Sequence, residues 1–497
     1  MSEIRVTYSG LIAFVVGLSG IITGFIFTII VTRELTPEEL GLWTLIGSLV
    51  GYVVIVEPII SFWTTRQIAR GEQIAKTSLI SSSLLSVLAI LVYGGIAIYI
   101  SSSLDVDFFP LILAAFLVPL MFLTNTLNSI ALSYKPQAIS YGMIAFEISK
   151  LPLGFLLVYS LQFGLIGAII ATIIASLIKI IFLISFTKNI IVGLIKINVI
   201  KYWFRLSWLP VYMNAQGLVF SLDVLIFSLF TNSLTGLAFW GVGSAIANIV
   251  AHSGKISQAL YPKILATKNK DVIEENIKRL LFFAIPLLAA GIVFAKPVLH
   301  VLNPVYVEGV FIVYLLSIRA FMSIIKNVAF GILTSYENVD IDKDVSLKNV
   351  VKSKLFFLPT LDYVLTCSYI GVLIIFLIFT QTSDIEEVDL ITYWALILVI
   401  ITTPFMIYGI LLINKIHQIS LPYKTILKFT SITLLSSVIT YLFIEKYLIY
   451  YESIFDFLPH LIPFILLAGT IYIGLVYIFD KSTREFLKLI YSEIKYK

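Results

Sequence analysis

The 497-residue sequence is poor in the residues on which most soluble chemistry depends. It has one cysteine, Cys367, so no disulfide can close within the chain and no cysteine cluster can hold zinc or an iron–sulfur centre. Its four histidines, His252, His300, His417 and His460, stand at separations that match no metal motif, and each reads as a capped or interfacial residue. There is no Walker A pattern, so the chain is not expected to hydrolyse ATP itself, and no cofactor or metal is expected. Charge is scarce as well. Asp, Glu, Lys and Arg make up 13% of the residues, about half the share found in a soluble domain.

Apolar residues fill the gap, at 59% of the chain with a mean hydropathy of +1.01. A water-soluble fold needs a polar exterior, and this composition is too poor in polar residues to supply one. A lipid exterior removes that need. The apolar residues fall into continuous runs near the ~20 residues that a spanning helix requires. These runs predict spans over 7–32, 40–62, 77–101, 108–134, 138–160, 162–187, 206–231, 234–254, 279–301, 307–335, 355–380, 388–414, 425–444 and 457–479. Continuous rather than alternating apolarity favours helices over membrane β-strands. The fold class expected is therefore an all-α integral membrane protein with about fourteen transmembrane helices. The uncharged stretch Val6–Thr32 is longer than a signal-peptide core and reads as a retained first span.

The connections test this independently. If residue 1 is cytoplasmic, the tails and even-numbered connections carry 26 of the 34 basic residues, while the opposite side holds only Arg33, Lys296 and Lys446. Acidic residues, among them Asp105, Asp107, Glu386 and Asp389, lean to the outer connections. This asymmetry accounts for the formal net charge of +5 without nucleic acid, and places both termini in the cytoplasm of a multi-pass plasma-membrane protein. The segment 188–205 mixes Lys and Arg with Ile, Val, Trp203 and Phe204, as an amphipathic linker on the cytoplasmic interface would.

A weak internal repeat suggests how the spans group. Leu35–Trp43 (LTPEELGLW) follows the first span and Leu234–Trp240 (LTGLAFW) the seventh; Ser61–Arg66 and Ser257–Pro262 follow the next spans, at offsets of about 197 residues. The division expected is an N-terminal lobe over 1–187, the linker 188–205, a C-terminal lobe over 206–414 and two further helices with a tail over 415–497, that is, two six-helix lobes plus two helices.

Ionisable residues inside spans are costly and so draw functional hypotheses. They are Glu57, Glu147, Lys150, Lys179, Asp223, Arg319, Lys326, Asp362 and Lys428. Lys179, Asp362 and Lys428 fall near span ends, where snorkelling to the interface is expected. Glu147 and Lys150 are three residues apart and could pair on one helix face. Arg319 and Lys326 lie two turns apart on one face. Glu57, followed by Pro58, and Asp223 are candidate proton or sodium sites, the alternative for each being a structural ion pair or hydrogen bond.

Thr32–Trp43 (TRELTPEELGLW), Glu57 and Trp63–Gly71 (WTTRQIARG), together with Ser207–Pro210 (SWLP), Asp223 and Ala259–Pro262 (ALYP), resemble the polysaccharide (O-antigen-type) flippases of the multidrug/oligosaccharidyl-lipid/polysaccharide exporter superfamily. The resemblance implies transport of an isoprenoid-phosphate-linked oligosaccharide from the cytoplasmic to the outer leaflet, for polysaccharide, cell-envelope or glycoprotein synthesis. It implies alternating access of two lobes around a basic cavity, coupled to a proton or sodium gradient or to neither. On that reading Lys150, Arg319 and Lys326 attract the phosphate head group, since cations and especially guanidinium grip phosphate oxygens, and Arg66 and Arg70 capture it at the cytoplasmic mouth. The partners expected are the bilayer and the lipid-linked oligosaccharide, with a monomer that associates with glycan-assembly enzymes. Two alternatives stay open. One is a cation-coupled multidrug or small-solute exporter of the same superfamily. The other is a membrane glycosyltransferase or polymerase, for which Asp340-Ile-Asp342 is the only motif.

Overall fold

The computed structural model describes residues 20, 22–205, 207–257, 270–335, 352–381, 383, 385–417, 422–480 and 483–484. Asp340-Ile-Asp342, Ala259–Pro262 and the beginning of the first expected span lie outside the described residues. Among those described, every regular element is helical. Twelve helices are long and apolar enough to cross a membrane, and a bent pair of shorter helices makes a thirteenth. They coincide with the second to fourteenth expected spans; of the first, the structure describes a helix over 22–34 (α1).

The chain packs into two compact units. The first comprises residues 1–241 and 366–387, the second 242–365 and 388–497. In the first, α1 is followed by α2 (Pro37–Val54), α3 (Pro58–Ala69), α4 (Ala75–Leu104), α5 (Phe108–Ala114), α6 (Leu117–Tyr134), α7 (Gln137–Gly154), α8 (Gly164–Thr187), α9 (Ile197–Arg205) and α10 (Trp208–Thr231). Then come α11 (Leu234–Ala251), α12 (Lys270–Val293), α13 (Ala295–Leu302), α14 (Val310–Ser335), α15 (Lys354–Thr380), α16 (Glu387–His417), α17 (Tyr423–Tyr447) and α18 (Ile454–Phe479). The unit boundary crosses α11 and α15, so the Thr366 end of α15 packs with the first unit.

Helix α4 shows why these helices need lipid. Its buried face is Ser78, Ser82, Ser86, Ala89, Tyr93 and Ala97, while Leu84, Leu88, Leu91 and Val92 on the other face are 55–70% exposed in round terms, at 65%, 60%, 68% and 58%. Small and hydroxyl residues turned inwards let helices approach closely; the apolar residues turned outwards are stable only in hydrocarbon. The LTPEELGLW motif starts α2. Glu39 N–H donates to Thr36 Oγ1 at 3.2 Å and Thr36 N–H to Glu39 Oε2 at 3.0 Å, a capping box ahead of Pro37 in the first turn. Gly41 then lets the helix touch backbone: a Cβ there would lie 1.8 Å from Leu234 O.

Helices α2 and α3 meet at a 59° bend. Pro58 has no N–H to give Val54 C=O, and the Glu57 N–H takes that carbonyl instead, at 2.9 Å. The bend therefore sits on the residue that brings a carboxyl into the membrane. In the second unit, Phe282, Phe330, Phe429 and Tyr472 form the core, with Tyr472 Oη donating to Phe282 O at 2.7 Å. Lys428 pairs with Asp480 at 2.8 Å, because the chain leaving α18 brings that carboxylate alongside α17. His300 donates from Nε2 to Tyr451 O, 2.9 Å away, while His252 and His460 donate from Nδ1 to the carbonyls of Asn248 and Asp456, four residues earlier, so each caps a backbone carbonyl.

Candidate functional site

The ionisable residues singled out in the sequence fall into four places. The first is the bend. Glu57 is 2% exposed, and Thr126 Oγ1 on α6 lies 3.1 Å from its Oε1 and 2.9 Å from Ser82 Oγ on α4. One hydroxyl has one proton, so a Thr126 that donates to Glu57 must accept from Ser82. Ser61 and Asn125 also reach the carboxyl. Among the described residues no basic side chain pairs with it; it is held by neutral donors alone.

The second place lies on α2, α10 and the Thr366 end of α15. Asp223 is 3% exposed; Tyr369 Oη donates to its Oδ2 at 2.7 Å and Val224 N–H to its Oδ1 at 2.8 Å. Tyr369 stacks on Phe220 with centroids 5.4 Å apart, and Tyr52 Oη donates to Ser221 O at 2.6 Å. Gln216 Nε2 donates to Thr366 Oγ1 at 2.5 Å, so a second polar bond joins α10 to α15. This is a membrane-buried polar junction of three helices.

The third place is on α1, α7 and α8. Glu147 accepts from Thr23 Oγ1 at 2.9 Å. The Glu147–Lys150 ion pair that their spacing allows does not close. Lys150 instead sets its ammonium 3.9 Å from the centroid of Phe27 and 5.3 Å from that of Phe146, because α1 packs its ring into that space. Lys179, expected to snorkel, turns to Phe146 as well, at 5.7 Å, and both lysines remain within electrostatic reach of Glu147.

In the second unit, Lys326 is 8% exposed and forms an ion pair with Asp362 across α14 and α15. Asp362, read from the sequence as a span-end residue, is thus also the partner of Lys326, because the crossing of the two helices brings them together. Arg319 is partly buried two turns earlier on α14. Arg66 and Arg70, at the end of α3, are exposed, and Arg66 lies over Phe62 at 4.4 Å.

Sequence reasoning found Glu57 and Asp223 but missed Thr126, Ser82, Tyr52, Gln216 and Tyr369, which surround them. Intramembrane Gln216 and the hydroxyl-rich buried face of α4 were signals available in the sequence; the partner of each was not. Among the described residues no group of three or more Asp, Glu, His or Cys side chains could hold a metal ion.

No protein-family model and no curated protein matches the chain. Solved structures do. A structure of the lipid II flippase MurJ in an inward closed conformation superposes with a TM-score of 0.67 at 13% identity, covering 95% of this chain and 99% of that one. An inward-facing multidrug resistance MATE family transporter of the MOP superfamily superposes at 0.59 and 13% identity, covering 80% of this chain and 96% of its own. The chain thus has the multi-span all-helical fold common to a lipid II flippase and a MATE transporter, the fold that its sequence resemblance implied.

Proposed function

We propose that the protein is a flippase that moves an isoprenoid-phosphate-linked oligosaccharide from the cytoplasmic to the outer leaflet of the plasma membrane, by alternating access and without acting as an enzyme. The observation that carries this reading is coverage. The flippase likeness extends over 95% of the chain, whereas the exporter likeness leaves a fifth of it unmatched. Intramembrane cations support an anionic cargo. Arg319 and Lys326 share one face of α14, and a phosphate or pyrophosphate would compete with Asp362 for Lys326, so binding opens an ion pair and release closes it. Lys150 is held in a cation–π cradle from which an anion can draw it, and exposed Arg66 and Arg70 suit first capture. Glu57 and Asp223, buried carboxyls bonded to neutral donors, are the proposed sites of proton or sodium coupling. Both termini lie in the cytoplasm on this reading, and glycan-assembly enzymes are the proposed partners.

The test is head-group accessibility in proteoliposomes that contain the purified protein and a polyprenyl-diphosphate oligosaccharide. Movement that depends on the protein, falls with Arg319→Ala/Lys326→Ala and responds to a proton or sodium gradient is expected. Intact movement in that double variant at normal expression rules out the head-group role. The fold likeness to a MATE transporter, with the aromatic and acidic grouping of Phe220, Asp223 and Tyr369, favours a second reading as a cation-coupled exporter of small organic solutes. Gradient-driven efflux of a cationic dye without lipid movement selects it.

A further inference from the structure

Linker helix α9 is bound to the first unit by one face. Trp203 is fully buried and its Nε1–H donates to Gln67 Oε1 on α3 at 2.9 Å, while Lys196 N–H donates to Thr77 Oγ1 on α4 at 3.1 Å. The other face is open. Leu194 is 86% and Ile197 63% exposed, and Lys201, Tyr202, Phe204 and Arg205 are exposed as well. Aromatic rings link α9 to α3 in an unbroken row. Arg205 lies 5.8 Å from the Tyr202 ring, Tyr202 stands edge-on to Trp63 at 5.8 Å, Trp63 edge-on to Phe62 at 5.0 Å, and Arg66 lies 4.4 Å over Phe62. Two guanidinium groups thus close the ends of one aromatic rail built from two helices. No acidic residue occurs between Glu147 and Asp223 in the sequence, so α9 and the chain on either side of it carry none; Glu72, just past the end of α3, is the acid that follows Arg66 and Arg70 in the chain.

We infer that the open face of α9, with the adjoining end of α3, binds anionic phospholipid of the leaflet on the basic side of the chain. The occupant follows from charge and apolarity together. An acidic peptide or a nucleic acid would satisfy Lys201 and Arg205 but leave Leu194, Ile197 and Phe204 in water. A helix lying in a lipid interface buries those apolar side chains among acyl chains and brings the cations to phosphate level. Zwitterionic lipid meets the apolar need; only a net negative head group meets the ionic one. The aromatic rail holds both guanidinium groups in place, so less freedom is lost when phosphate binds. The site shares Arg66 with the proposed capture step, but its test does not rest on the transport reading, since lipid retention needs no cargo and no turnover.

The experiment incubates the purified full-length protein in mixed micelles of phosphatidylglycerol and phosphatidylcholine at equal amounts, and measures retained lipid by mass spectrometry after size exclusion. The parent protein retains phosphatidylglycerol in preference. Lys201→Gln/Arg205→Gln lowers that preference by about five-fold or more, at roughly five-fold per basic residue near a charged surface. Lys415→Gln/Lys424→Gln, which removes two exposed basic residues of the second unit, leaves it within about two-fold on the same scale. Equal retention of the two lipids by the parent, an unchanged ratio in the α9 variant, or an equal loss in the control overturns the inference. If the α9 double variant does not elute as a folded species, Lys201→Gln alone and a salt series on the parent decide. The preference must fall in both, and constancy in either overturns the inference.

Discussion

The Lys326–Asp362 pair allows a quantitative test, because its two side chains are only 10% and 26% exposed and both residues lie in one unit. Asp362→Leu leaves an ammonium buried at Lys326 with the Phe330 ring, 5.4 Å away, as a weak substitute. Breaking a buried pair from one side costs ~3–5 kcal/mol, and partial exposure of Asp362 brings the expectation to ~2–3 kcal/mol. Lys326→Met strands the better solvated partner and should cost ~1–2 kcal/mol by the same reasoning. Lys326→Met/Asp362→Leu removes both charges and fills the space with apolar atoms, which is often neutral, so the double variant should be more stable than Asp362→Leu alone. The coupling energy from the cycle is then at least ~1 kcal/mol. The assay is the denaturant midpoint of all four proteins in the same mixed micelles. Single-variant effects that add to within ~0.5 kcal/mol, or a double variant worse than Asp362→Leu, would refute the assignment of a stabilising ion pair at this helix crossing.

Four further outcomes follow from the same structure. Gly41→Ala drives a methyl group into Leu234 backbone and should lower stability by ~1–3 kcal/mol, whereas Gly47→Ala on the same helix, with open space around its Cβ, should be neutral or raise it by up to ~1 kcal/mol; equal midpoints for the two variants would contradict the close approach of α2 to the start of α11. Tyr369→Phe removes the bond to Asp223 while keeping the stack on Phe220, and a midpoint loss of ~0.5–3 kcal/mol is expected for a buried hydrogen bond to a carboxyl; a smaller loss would indicate that Asp223 has no need of it. Glu57→Gln keeps an acceptor for Thr126 and should fold normally, yet lose any response of lipid movement to a proton or sodium gradient; an unchanged gradient response assigns coupling elsewhere. At Asp480, just beyond α18, burial acts to raise the carboxyl, but hydrogen bonds from Lys428 and Thr483 outweigh it and hold the group below its usual range. A carboxyl lowered on folding stabilises above its unfolded value of about 4 and ceases to do so as pH falls through the lower folded value. Parent midpoints should therefore drop below about pH 4 by more than those of Asp480→Asn, and parallel curves would exclude this contribution.

The sequence by itself determined the solvent. A chain with this little charge and such long apolar runs can fold only with hydrocarbon around it, so spans two to fourteen were legible, most of their ends to within a few residues. Local signals stand in the sequence too, although the second span was expected as one unbroken run: the capping box in LTPEELGLW and the bend at Pro58 each depend on neighbours in the chain. Pairing was not. Whether Lys150 meets Glu147 or Phe27, and whether Asp362 reaches an interface or Lys326, depends on which helices cross and at what height. Apolar helices carry little sequence information about their neighbours because hydrocarbon wets every face alike. Glu57 and Asp223 were identifiable as costly, but the hydroxyls and the tyrosine that hold them come from helices tens to more than a hundred residues away. Tertiary structure alone decided those partners, since a buried carboxyl must find donors wherever packing brings them.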